Sequence, residues 1–264
     1  VKEIISLFLF MTSLSPLSAG EEFCGIRNTS FKTGEVITYN IYYSVIGLYA
    51  NAGTASFTTS QEMYNGKPTY HVVGVGSSNS KYDWIFKVRD RYESYIDTAS
   101  LKPYRFIRDI SEGGYKKKED VTFNRQTNTA KSAKGTFNVP ACVQDVISSI
   151  YYARNINFDQ YKAGDKIPFS MFLDDEVYNL YIRYLGKEQV KTKYGKFNAI
   201  KFRPLLVNGT IFEGGEKMNV WVSDDMNHIP LRIESPIVVG SIKVDMMSYS
   251  NLRHTLSSKV KDKR

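Results

Sequence analysis

Three groups of carboxylates have the residue types for acid–base chemistry. Asp90 and Glu93 flank Arg91-Tyr92, Asp174 and Asp175 precede Glu176, and Asp224 adjoins Asp225. Two carboxylates placed on either side of a glycosidic bond can serve as acid and base, or as acid and nucleophile. Asp90, Glu93, Asp174, Asp175, Asp224 and Asp225 are therefore the candidates for a carbohydrate-active site. Their spacing along the chain does not set the separation that such chemistry needs. The Asp pairs also fall where hairpin turns are expected, and turns favour Asp for its backbone hydrogen bonds. Both readings stay open.

Other chemistries find less support. His71, His228 and His254 lie on separate segments without ligand spacing, so no metal is expected. Two cysteines cannot make a typical zinc site alone, there is no Gly-x-Ser-x-Gly elbow, and no cofactor is expected. Trp84, Arg105, Tyr151, Trp221 and Arg232 are the ligand-binding candidates. Aromatic faces can stack on sugar rings or fill a core. Arg105 and Arg232 can hold a ligand or pair with carboxylates across a sheet face, Asp90 or Glu93 for the first and Asp224 or Glu234 for the second.

The elements that must position these residues are mostly strands. Ile37-Thr-Tyr-Asn-Ile-Tyr-Tyr43 and Tyr178-Asn-Leu-Tyr-Ile-Arg-Tyr184 alternate with period two. Asn65-Gly66, Gly113-Gly114, Asn208-Gly209 and Gly214-Gly215 are hairpin signals. One helix is expected at about 142–155, where Val143, Val146, Ile147, Ile150 and Tyr151 recur at helical spacing.

The β-rich pattern occurs twice. Phe31-Lys-Thr-Gly-Glu-Val-Ile-Thr-Tyr39 matches Tyr161-Lys-Ala-Gly-Asp-Lys-Ile-Pro-Phe169. Asn65-Gly66-Lys67 then matches Tyr194-Gly195-Lys196, Leu101-Lys-Pro-Tyr-Arg-Phe106 matches His228-Ile-Pro-Leu-Arg-Ile233, and Gly114 matches Gly240, all in collinear order. The competing account is that Gly and Pro punctuate any β protein. The pattern predicts a mainly β fold of two similar antiparallel, curved, half-barrel-like units at 31–130 and 161–252. A connection at 131–160 carries the one central amphipathic helix between them. Residues 20–30 read as an N-terminal arm and 253–264 as a basic, disordered tail.

Residues 1–19 read as a secretory signal peptide: Lys2, an apolar stretch over Ile4–Leu17, then small residues before Gly20. That implies an exported protein with no transmembrane segment after cleavage. An oxidising compartment would pair Cys24 with Cys142; the alternative is two buried thiols. The net charge is +8, with lysines gathered at Lys116–Lys118 and in the tail. This suits a solvated surface or attraction to anionic glycans and headgroups. Export excludes nucleic acid as a natural partner.

Pro103-Tyr-Arg-Phe106 with Glu112-Gly-Gly-Tyr-Lys116, the helix segment Val143–Arg154, and Trp221-Val-Ser-Asp-Asp225 followed by Pro230-Leu-Arg-Ile-Glu234 together resemble the exported bacterial family called domain of unknown function 3108. The resemblance spans about residues 30–252 and implies an exported β-rich envelope protein, with no catalytic residues to carry over. Cys142 beside the helix is not a hallmark of that family. By analogy the fold is similar to the sheet-over-helix carriers of lipoproteins.

The leading expectation is a non-catalytic envelope binding or carrier protein for a lipid-like or glycan component. A carbohydrate-active enzyme using the acidic turns is the alternative. An assembly partner that pairs through exposed strand edges is the third.

Overall fold

The computed structural model describes residues 24–45, 48–207, 214–237 and 240–261. The expected signal peptide, the turn at Asn208-Gly209 and the last three residues lie outside the described residues. The first strands are β1 (Val36–Val45), β2 (Leu48–Tyr64), β3 (Lys67–Ser78), β4 (Val88–Asp97), β5 (Pro103–Glu112), β6 (Tyr115–Asn124), β7 (Thr129–Ser132) and β8 (Gly135–Asn138). Helix α1 (Val146–Ala153) follows. Then come β9 (Lys166–Leu173), β10 (Glu176–Thr192), β11 (Gly195–Pro204), β12 (Asn219–Ser223), β13 (Pro230–Pro236) and β14 (Ser241–Ser250).

All fourteen strands belong to one antiparallel sheet, in the order β8 back to β1, then β14 back to β9. The first and last strands of the chain therefore pair in mid-sheet, with Ile41 opposite Val244. Turn chemistry sets the meander. Asn65-Gly66, Gly113-Gly114 and Asp174-Asp175 all take positive φ, as two-residue hairpin loops require.

The far ends of the sheet come together. Phe172 of β9 packs against Phe123 of β6 and Phe137 of β8, with ring centroids 6.1 and 5.6 Å apart. Asp174 is gripped by Arg108 and Lys117, and Asp175 by Ser132 and Lys134. The backbone of Gln144 runs parallel to β9 beside Met171 and occupies that strand's outer edge. The opposite edge strand, β8, has only four residues. The sheet thus leaves little free edge for another chain to extend.

The helix is shorter than its periodicity predicted, because Val143 precedes it and Gln144 is extended against β9. Asp145 starts it: its carboxylate accepts from the backbone N–H groups of Ile147 and Ser148, each at 2.8 Å. Ser148 Oγ returns the bond by accepting from the Asp145 N–H at 2.8 Å, a capping box. Ser94 Oγ of β4 donates to the same carboxylate at 2.6 Å, which fixes the helix start against the sheet. Ile147, Tyr151 and Tyr152 share one core with Val72, Ile96 and Phe106 from the first strands and Phe169, Ile182 and Val222 from the later ones. At the other end of the helix, Arg154 forms a buried two-pronged ion pair with Glu35, at 2.5 and 2.9 Å. It also donates to the Asn227 carbonyl at 3.1 Å.

Cys24 and Cys142 form a disulfide with Cα atoms 5.5 Å apart, tying the arm to the segment before the helix. The tail corrects its expectation. Leu256 is buried in a second core cluster with Phe197, Trp221 and Leu231. Asn198 N–H donates to the Ser258 carbonyl at 2.8 Å, and Ser258 N–H donates to Asp225 at 3.1 Å. Basic composition suggested a solvated end, yet the leucine spacing and these backbone bonds order it through Val260.

Candidate functional site

The ligand-binding candidates part company in the structure. Trp221 is 7 % exposed. Its indole N–H donates to Glu188 at 2.6 Å, and the Lys201 ammonium lies 4.8 Å from its ring. Tyr151 is buried beneath Phe31 and receives the Thr59 hydroxyl at 3.1 Å. Both rings fill core. Arg105 is clamped by Asp120, at 2.9 and 2.6 Å, and Arg232 by Asp245, at 2.6 and 2.8 Å. These carboxylates stand on neighbouring strands and differ from the main partners expected; only Glu234 recurs, at 3.7 Å from Arg232. Trp84 alone is open to solvent, 82 % exposed.

The acidic candidates are also dispersed. Asp174 and Asp175 form the turn that closes the sheet ends. Hydrogen bonds from Ser132 and Lys134 hold the Asp175 carboxyl below its ordinary range. Asp224 pairs with Lys187 at 3.0 Å. Asp225 accepts from the Ser223 hydroxyl and the Asn227 N–H, at 2.9 and 3.0 Å, and organises a turn. Burial would raise Glu93, but bonds from Arg91 and His71 outweigh it and hold this carboxyl low.

Asp90 behaves differently. Burial pushes its carboxyl up to about 7 despite a bond from the Ser111 N–H, and neighbouring Glu112 adds repulsion and a shared hydrogen bond. The two residues lie on β4 and β5, so only strand register brings them together. A carboxylic acid that keeps its proton near neutral pH can donate one.

One concavity lies on strands β3 to β6. It is an open groove of about 580 Å³; Arg89, Arg91, Lys116, Lys118 and Asp109 stand on its face, while Asp90, Ile110 and Lys117 form the row between them, whose side chains point to the other side of the sheet. Cross-strand register places Arg91, Asp109 and Lys118 in one row and Arg89, Ser111 and Lys116 in the next on that face. Alternation sets these rows on the face opposite the one that meets the helix through Ser94 and Phe106.

At one end of the groove, the segment between β3 and β4 carries an apolar cluster. Ile85 is 64 % and Phe86 47 % exposed beside Trp84, and Tyr82 is also exposed. The segment is well organised. Asn79 caps the short helical turn Ser80–Tyr82. Ile85 and Phe86 N–H groups donate to the Tyr82 carbonyl, at 2.9 and 3.2 Å. Arg89 holds Asp83 in a two-pronged pair. Phe86 lies against Gly113, where any Cβ would overlap its ring. The sequence reading singled out Trp84 but missed Ile85, Phe86 and the groove. The run Trp84-Ile-Phe86 between two strands, followed by Lys87, was the available signal.

Among the described residues, no group of His, Cys, Asp and Glu is arranged to hold a metal. No described helix is long and apolar enough to cross a membrane.

One solved structure supports the fold. A beta-barrel-like protein of the domain of unknown function DUF1849 from Brucella abortus has a TM-score of 0.55 at 9 % identity, over 86 % of this chain and 99 % of that one. A protein from Bacteroides fragilis with a YmcC-like fold, taken to be exported, has a TM-score of 0.35 at 11 % identity, over 86 % and 100 % of the chains. A protein from Parabacteroides distasonis, taken to be a lipoprotein, has a TM-score of 0.38 at 12 % identity, over 85 % and 100 %. A search of curated proteins found no match. The family model described as Protein of unknown function (DUF3108) matches residues 38–247, and the chain belongs to that family.

Proposed function

We propose that this protein is a non-catalytic binding protein of the bacterial cell envelope, and that its groove takes an anionic component, a lipid headgroup or a charged glycan. The observation that carries this is the set of basic side chains along an open groove across β3 to β6, where Arg89, Arg91, Lys116 and Lys118 share one face and Asp83, Glu93 and Asp109 hold three of them in place. Preorganised cations attract anions without the cost of ordering flexible arms. Export is supported by the pattern of residues 1–19 and by the Cys24–Cys142 bridge, since such bridges persist outside reducing compartments. Internal duplication is supported by two strand pairs of equal length, β2 with β10 at 17 residues and β6 with β14 at 10, while the pairs β1 with β9, β3 with β11, β4 with β12 and β5 with β13 differ in length. In this reading α1 is the central element that both halves enclose.

Calorimetric titration with glycerol phosphate and with a uronic-acid oligosaccharide tests the groove and separates the two ligand classes. Binding that Arg91→Glu and Lys116→Glu abolish supports it; absence of heat with either ligand removes it. A second reading, carbohydrate hydrolysis, is favoured by Asp90 alone among the carboxylates. If Asp90 is a general acid, Asp90→Asn lowers turnover of an envelope polysaccharide by two orders of magnitude or more. If no such turnover exists, that reading ends.

A further inference from the structure

The segment Tyr82–Phe86 serves no packing purpose that would explain its exposed side chains. It is held by its own backbone bonds, by the Asp83–Arg89 pair and by the seat of Phe86 on Gly113. Those contacts hold the loop firm while Trp84 and Ile85 project outward. Tyr115, at the start of β6, adds another exposed ring close to the Gly113-Gly114 turn. Exposed apolar groups on a rigid, protruding turn mark a contact surface. Trp and Tyr are suited to the boundary between headgroups and hydrocarbon.

Charge selects the partner. Lys81 and Lys87 flank the apolar residues in sequence, and Arg89, Arg91, Lys116 and Lys118 follow along the same face. An apolar tip backed by cations complements a surface with an oily interior and negative headgroups. We propose that this end of the molecule docks on an anionic lipid bilayer, with Trp84, Ile85 and Phe86 entering the interface and the basic face resting on the headgroups. This deepens the reading of the groove as an anion site and rests on it for the charge, but it adds a bilayer as the source of the anion.

The two tryptophans make the test direct, because Trp221 is buried and Trp84 is exposed. The purified protein is mixed with vesicles of pure phosphatidylcholine, or with vesicles containing one third phosphatidylglycerol. Sedimentation, tryptophan emission and quenching by brominated acyl chains are then measured. The expected result is sedimentation with the anionic vesicles only, a blue shift, and quenching by bromines placed near the headgroups. Trp84→Ser with Ile85→Ser should weaken binding at least tenfold, and so should Lys116→Glu with Lys118→Glu. If a variant folds poorly, quenching in the unaltered protein still decides. Equal binding to both vesicle types, or sedimentation without quenching, overturns the insertion. Glycerol phosphate binding without vesicle binding overturns the bilayer proposal and leaves the groove reading standing. Vesicle binding without glycerol phosphate binding supports the docking and removes the groove as a headgroup site.

Discussion

Replacing Glu35 by alanine should be among the most damaging single changes in the protein. Arg154 and Glu35 side chains are 2 % and 0 % exposed, so neither charge has water to fall back on. Two charge-assisted bonds join them, at 2.5 and 2.9 Å. In Glu35→Ala the guanidinium retains the carbonyl of Asn227 at 3.1 Å and that of Ser30 at 3.5 Å, and neither is charged. Charge-assisted bonds contribute about 1.5–3 kcal/mol each, and breaking a buried pair from one side costs about 3–5 kcal/mol. The expected loss is therefore about 4 kcal/mol, which for a chain of this size lowers Tm by on the order of 10 °C. Equilibrium urea unfolding followed by circular dichroism measures it. Glu35→Leu combined with Arg154→Met should recover most of the loss, since apolar side chains of similar volume can replace a buried pair. A Glu35→Ala protein within about 1 kcal/mol of the parent would refute the claim that this pair anchors the helix.

Three further outcomes follow from the same structure. Removing the disulfide with Cys24→Ser and Cys142→Ser releases a loop spanning 118 residues and should cost about 2–4 kcal/mol in urea unfolding. Leu256→Ala should cost about 2 kcal/mol, since the side chain is buried in the second core cluster; a disordered tail would show no change. Asp90 binds its proton more tightly in the folded protein, at about 7, than at its ordinary value of 3.8. Its contribution is greatest at acid pH and is lost as pH rises from about 4 to 7. The stability of Asp90→Asn relative to the parent should therefore grow across that window, as urea midpoints at pH 4.5 and 7.5 would show.

Local chemistry made much of this fold readable. Gly113-Gly114 and Asn65-Gly66 had to be turns because few residues adopt positive φ cheaply. The stripe Ile147, Ile150, Tyr151 had to be helical, but the capping pair Asp145 and Ser148, which sets where the helix begins, went unread. Val143 and Gln144 looked helical by spacing, but pairing with β9 outweighed periodicity. Trp84 and Trp221 show the limit more sharply. Both are aromatic residues among apolar neighbours, yet Trp221 lies in a strand whose surroundings bury it, while Trp84 lies on a loop with nothing above it. The Asp90–Glu112 contact was hidden because it depends on the register of β4 against β5, which no local pattern encodes. The grip of Asp225 on the Ser258 N–H, across 33 residues, was hidden for the same reason.

The pairing of β1 with β14 has a kinetic consequence. Thr38 and Ser248, whose hydroxyls meet at 2.6 Å, are 210 residues apart, so that seam is a step of very high contact order and correspondingly slow. As the chain emerges from its N-terminal end, β1 to β8 can zip up early while one flank of β1 stays bare. Until the last strand arrives, that flank is a sticky template for a neighbouring molecule. Refolding yield should therefore fall with rising protein concentration, and a holding chaperone that covers β1 would be the natural remedy.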